Sequence, residues 1–198
     1  MTLLFVGLAL FLGAHSLKIV PGPRARLVGA LGETGYKGVY SVVSLVGLVL
    51  MVRGYGAWRL EGPPLLYAPP AGLSHLALLL MALAFVALPA AYLPGHIKKT
   101  LKHPMLVAVK TWAVAHLLVN GDLASVVLFG AILAWAVVDR ISVKKRERAG
   151  LTAPAAFTPH WQADVAAVAI GLVVYGLFVW KLHLWLIGVS PLAMASAV

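Results

Sequence analysis

The chain contains no cysteine. That excludes a disulfide framework, a thiolate zinc site, an iron–sulfur cluster and covalent C-x-x-C-H haem attachment. Charge is scarce too: 11% of the 198 residues are charged, and only six are acids. A soluble domain carries about 25% charged residues and about 45–50% apolar ones, whereas this chain is 62% hydrophobic. A soluble globular domain is therefore excluded, and so is disorder, which needs low hydrophobicity. The six acids, Glu33, Glu61, Asp122, Asp139, Glu147 and Asp164, fall at the ends of apolar runs or in loops. No nucleophile–base set, phosphate loop or H-E-x-x-H motif accompanies them.

What the chain has is apolar runs. A transmembrane helix takes about 20 such residues, within about 17–25. Six segments come near that length, from about Thr2 to Ile19, Gly38 to Tyr55, Leu73 to Leu93, Pro104 to Val119, Leu123 to Val138 and Asp164 to Ile187. They predict an all-α polytopic membrane bundle of about six helices, a single domain over residues 1–198. No internal repeat relates the segments. Asn120-Gly121-Asp122 is a strong turn signal and predicts a tight hairpin between the fourth and fifth spans. Trp58 to Gly72, with Pro63-Pro64 and Pro69-Pro70, is expected to be extended. Asp139 to Gln162, with Lys144-Lys145-Arg146, Pro154 and Pro159, is expected to be an irregular loop, and Asp139-Arg140 a local pair closing the fifth span. The first span lacks a basic segment before it and has His15 where a cleavage site would lie, so it is expected to be retained.

The net charge of +10 reads as topology. Lys18, Arg24, Arg26 and Lys37 lie in the first loop. Lys98, Lys99 and Lys102 lie in the third, and Arg140, Lys144, Lys145, Arg146 and Arg148 in the fifth. The second holds only Arg53 and Arg59, and the fourth none. Positive charge near span ends stays cytoplasmic. Loops one, three and five are thus expected inside and both termini outside, in the inner (plasma) membrane. The basic excess then faces anionic lipid headgroups, and no nucleic-acid partner is expected.

Ionisable residues inside a membrane are costly, so each is a functional candidate. His15 lies late in the first span and His116 late in the fourth. Neutral imidazole is a common iron ligand, and helical bundles hold cofactors between facing helices. The alternative is that each histidine hydrogen-bonds across helices. Gly13, Ala14, Ala113 and Ala115 either make room for a flat macrocycle or permit close helix packing. Trp112, four residues before His116, shares its helical face and is placed to flank a ring. By the expected topology the two histidines differ in depth by about 10 Å at ~1.5 Å per residue, which would tilt a shared macrocycle. Lys110 either snorkels toward the cytoplasm or faces an anionic group such as a haem propionate. Lys181 and His183, between Trp180 and Trp185, read as an interfacial belt. His75, His96 and His160 read as solvated, and His103, before Pro104 at a helix start, as a lesser ligand candidate.

Gly13-Ala-His-Ser16, Leu31-Gly-Glu-Thr-Gly-Tyr-Lys-Gly38 running into Ser41-Val-Val-Ser-Leu-Val-Gly-Leu48 and Arg53-Gly-Tyr55, then Lys102-His-Pro-Met105 and Trp112-Ala-Val-Ala-His-Leu-Leu-Val-Asn-Gly-Asp122, together resemble the NnrU family of bacterial membrane proteins. The resemblance covers about Leu3 to Arg148. It implies a link to nitrite and nitric oxide metabolism in denitrifying bacteria. The family is also similar to plant 15-cis-zeta-carotene isomerase, a membrane enzyme with b-type haem. That likeness implies haem b with His15 and His116 as axial ligands and a carotenoid-like polyene as substrate; Trp112 and Lys110 are the further cofactor-binding candidates read from the residues themselves. The plant enzyme has a cysteine one turn before its second histidine, where this chain has Ala113, so a cysteine-switched ligand is absent. The resemblance leaves two expectations: a haem-dependent cis–trans isomerase, or a non-enzymatic accessory protein of nitrite and nitric oxide respiration. A transporter is disfavoured, because no matched pair of broken helices and no mid-membrane acidic relay is present.

Overall fold

The computed structural model describes residues 1–70, 72–152 and 156–192, and every named element in them is helical. In chain order they are α1 (Thr2–Ser16), α2 (Pro21–Leu60), α3 (Leu73–Ala90), α4 (His96–Leu101), α5 (Pro104–Leu117), α6 (Leu123–Arg148), α7 (Trp161–Leu177), a π-helical turn (Phe178–Leu182) and α8 (His183–Ile187). Four stretches are long and apolar enough to cross a membrane: Gly22–Leu60, Leu73–Ala90, Leu123–Arg148 and Trp161–Ile187. With 15 and 14 residues, α1 and α5 are apolar but short. At ~1.5 Å per residue they reach roughly 21–23 Å, against a hydrocarbon core of about 30 Å.

The helix ends follow local chemistry. The first run stops at Ser16, short of Ile19, because Pro21 forces the residue before it out of helical geometry; Val20 is extended, with φ −112° and ψ 102°. Pro21 then starts α2, so the expected first loop is largely helical. Arg24 to Leu31 contains mostly good helix formers and carries Gly29 within the helix; the break comes at Gly32, whose φ of +71° divides α2 in two. The fifth span likewise does not end at Val138. The segment Arg140 to Arg148 has no proline or glycine, and α6 continues through it to Arg148, ahead of Gly150 at φ +69°. Irregular chain is thus confined to a shorter stretch than Asp139 to Gln162, and Pro154 lies outside the described residues. Asn120-Gly121-Asp122 does break the helix between α5 and α6, and the second loop is extended apart from an isolated bridge of Leu65 to Asp122.

Two compact units divide the chain, Met1–Leu65 with Asp122–Lys145 and Leu66–Gly121 with Arg146–Val198. In the first, the N-terminus of α1 lies 3.9 Å from Glu61 after α2, and the far end of α1 lies beside Tyr40 in α2. The two helices are therefore antiparallel. Tyr55 of α2 meets Ser125 at the start of α6 with their hydroxyls 2.9 Å apart, while Ser16 meets Trp135 further along α6. So α6 runs parallel to α1. Glycines set the close approach of α1 and α2: a Cβ at Gly7, Gly47 or Gly54 would strike the facing backbone at Met51, Phe11 or Leu4.

In the second unit α3 packs on α5 and α7. The Tyr175 hydroxyl donates to the Leu78 carbonyl at 3.0 Å, and Gly171 abuts Phe85 and Val86, so α3 and α7 are antiparallel. Buried positions across both units are mostly alanine, including Ala77, Ala84, Ala87, Ala90, Ala108, Ala115, Ala124, Ala136 and Ala167. Large side chains point outward: Val42, Leu45 and Val49 on α2, Leu76, Leu79 and Leu83 on α3. Small inside and large apolar outside is the pattern of helices packing within lipid. Gly54→Ala should therefore destabilise by about 1–3 kcal/mol. Gly56→Ala, where a Cβ meets nothing within 4 Å, should be neutral or stabilise by up to about 1 kcal/mol. Thermal unfolding of the detergent-solubilised variants checks the contrast.

Candidate functional site

His15 is the last residue but one of α1, and its ring is held on several sides. Phe11, one turn earlier, stacks on it at 4.2 Å. Tyr40 of α2 lies at 5.3 Å, and the ring of Trp135 of α6 stands edge-on at 5.8 Å. Its Nδ1 lies 2.8 Å from the Phe11 carbonyl. A carbonyl only accepts, so Nδ1 carries the hydrogen and the lone pair of the neutral ring belongs to Nε2. Trp135 is itself fixed: its indole N–H donates to Ser16 Oγ at 3.2 Å, and that hydroxyl donates to Leu12 O at 2.6 Å.

Beside this cage sits an ion pair not visible in the sequence. Asp139 is fully buried, and its Oδ2 lies 2.7 Å from Lys18 Nζ; the ammonium also lies over the Trp135 ring at 5.1 Å. The partner of Asp139 is thus Lys18 on a different part of the chain rather than the adjacent Arg140. A cavity of about 230 Å³ opens next to His15, lined by Ala14, His15, Lys18, Tyr36, Lys37 and Tyr40.

In the second unit, His116 repeats the local arrangement of His15. Trp112, one turn earlier, lies 5.0 Å from the imidazole, and His116 Nδ1 donates to the Trp112 carbonyl at 2.8 Å. The His116 carbonyl is capped by the Asn120 side-chain amide at 2.9 Å. The structure thus joins Trp112 to His116 as expected. Lys110 makes no hydrogen bond, ion pair or ring contact among the described residues. Ala113 and Ala115 are buried, which is their packing role, whereas Gly13 and Ala14 differ: Gly13 is exposed and Ala14 lines the cavity.

The side chains of three of the other histidines have partners of their own. His96 is not merely solvated. Asp164 accepts from its backbone N–H at 2.9 Å, lies 2.8 Å from its Nδ1, and accepts from Ile97 N–H at 2.9 Å. His103 Nε2 lies 2.8 Å from Glu147 Oε1. His183, expected in an interfacial belt, follows the π-helical turn, and its Nδ1 donates to the Val189 carbonyl at 2.7 Å. The flanking Trp180 and Trp185 are strongly exposed, consistent with an interfacial belt. Among the described residues no three His, Asp or Glu side chains converge as a metal site.

A metal-ligating histidine typically donates its second ring N–H to a carbonyl or carboxylate, which fixes its tautomer and raises its basicity. His15 and His116 both meet that condition through a carbonyl four residues earlier, so their donor chemistry suits haem iron.

Alanine-packed helices with valine and leucine outward, and imidazoles held inside them, define an all-α, multi-pass membrane protein. A family model described as NnrU protein matches residues 3–191, and the chain belongs to the NnrU family. The match runs past Arg148 through α7 and α8, beyond the stretch where the motifs are evident. Neither the curated proteins nor the solved structures contain a match to it.

Proposed function

We propose that this NnrU-family protein binds b-type haem, which His15 and His116 would hold, and that it isomerises a carotenoid-like polyene. The observation that carries the reading is the repeated device: an aromatic residue one turn before each histidine, and Nδ1 tied to that residue's carbonyl. When bound, haem would supply an iron centre suited to one-electron or electrophilic activation of a double bond. The chain's own part is to hold each imidazole in one tautomer and rotamer, to keep the surroundings apolar, and to admit a lipophilic substrate from the bilayer. Trp112 is the side chain set to flank a bound ring, and Lys110 the cation for a propionate.

The second reading, favoured by Ala113 where the plant isomerase has its cysteine, is an accessory protein of nitrite or nitric oxide respiration without turnover of its own. Deleting the gene and following both carotenoid isomers and nitric oxide consumption separates the two. Accumulated cis-isomer supports the enzyme. Unchanged carotenoids with impaired nitric oxide consumption support the accessory role.

The reading includes one functional domain in the plasma membrane, with the basic loops inside and both termini outside. The absence of native cysteine makes this easy to check. In single-cysteine variants, Lys144→Cys is expected to react with a membrane-impermeant maleimide only after the cells are opened. Glu61→Cys is expected to react in intact cells. The reverse pattern would invert the topology.

A further inference from the structure

The cavity beside His15 has a composition that the haem-ligand role does not require. Of its six lining residues two are lysines, two are tyrosines, one is histidine, and none is an acid. Lys18 has its charge balanced by buried Asp139. Lys37 is different: no carboxylate among the described residues pairs with it. The cavity is therefore lined by a lysine with no carboxylate partner, an imidazole, two tyrosines and the Ala14 methyl, and its surface is mainly apolar. Its walls are braced, since Tyr36 packs on Tyr40 at 6.1 Å and carries the Arg24 guanidinium over its ring at 5.5 Å.

At about 230 Å³, against roughly 30 Å³ per water, the space suits a headgroup rather than a whole lipid or macrocycle. It lies where α1 ends and α2 resumes after Gly32, among the cations of the first loop. Apolar Val39 and Val42 continue outward along α2 from this level.

We infer that this cavity is a binding site for the anionic head, phosphate or carboxylate, of a membrane amphiphile, with Lys37 as the charged contact and the Asp139-anchored Lys18 as its fixed wall. A charge-assisted hydrogen bond is about twice as strong as a neutral one, and braced walls lose little entropy on binding. The inference does not depend on haem being bound. Two sources carry the chemistry: a phospholipid phosphate, and the carboxylates of a macrocycle such as haem.

The test is calorimetric titration of the full chain in neutral detergent, with short-chain phosphatidylglycerol, short-chain phosphatidylcholine, haem and haem dimethyl ester. Phosphatidylglycerol, free-acid haem or both are expected to bind in a Lys37-dependent way. Lys37→Gln should weaken that binding by about ten-fold, and Lys37→Arg should restore it. Lys144→Gln, which removes an equal charge elsewhere, should leave it unchanged. Dependence confined to phosphatidylglycerol assigns the phosphate of a lipid; dependence confined to haem and missing from its ester assigns the carboxylates. If Lys37→Gln affects neither, or Lys144→Gln weakens binding equally, the attraction is a diffuse surface effect and the site is overturned.

Discussion

Replacing His15 or His116 with alanine is expected to remove most of the Soret absorbance from protein purified out of haem-replete cells. Loss of a group that merely orients a ligand costs about 10–100-fold in metal affinity, so loss of a ligand itself should exceed about 100-fold. Any residual haem should be high-spin, because one axial position is then open. Trp112→Phe keeps an aromatic ring beside His116 and the backbone carbonyl that its Nδ1 bonds. It is expected to retain the absorbance. His96→Ala and His103→Ala, whose imidazoles face Asp164 and Glu147, should retain it as well. Equal losses in all of these variants would mean that destabilisation, and not ligation, is being read.

The second large effect concerns Lys18 and Asp139. The carboxylate is fully buried while its lysine is half exposed, so the two halves of the pair are not equivalent. Lys18→Met leaves a buried charge uncompensated, which costs about 3–5 kcal/mol. Against a typical stability of about 5–15 kcal/mol, that is enough to lower the unfolding midpoint steeply. The double variant Lys18→Met with Asp139→Leu removes both charges and should recover most of the loss. Denaturation of the single and double variants in detergent reads the difference. A Lys18→Met protein as stable as the wild type would show that the pair contributes nothing.

Hydropathy located the apolar helices among the described residues because the hydrocarbon core demands a run of apolar side chains on a backbone whose polar groups are paired within the helix. Breakers set the ends that were legible: Pro21 after α1, Pro104 at the start of α5, Asn120-Gly121 after α5. The charged extensions of α2 and α6 were not legible as span, since their residues favour helix by propensity rather than by hydrophobicity. The Trp112–His116 pairing follows from a spacing of four. The same spacing at Phe11–His15 was equally available in the sequence and is the signal that completes the parallel. By contrast, Tyr40, Trp135 and Asp139 reach His15 and Lys18 from far along the chain. One clue to them lay in Asp139 itself, an acid abutting the apolar run Ala134 to Val138, where an unpaired charge is costly. The π-helical turn before His183 left no mark in the hydropathy pattern.

The absorption spectrum of the solubilised wild-type protein, oxidised and then reduced with dithionite, tests the central claim most directly. Two histidine ligands predict one extractable haem b per chain, a low-spin Soret band and a sharpened α-band on reduction. A colourless protein from haem-replete cells, or a spectrum unchanged in the His15→Ala/His116→Ala double variant, would contradict it.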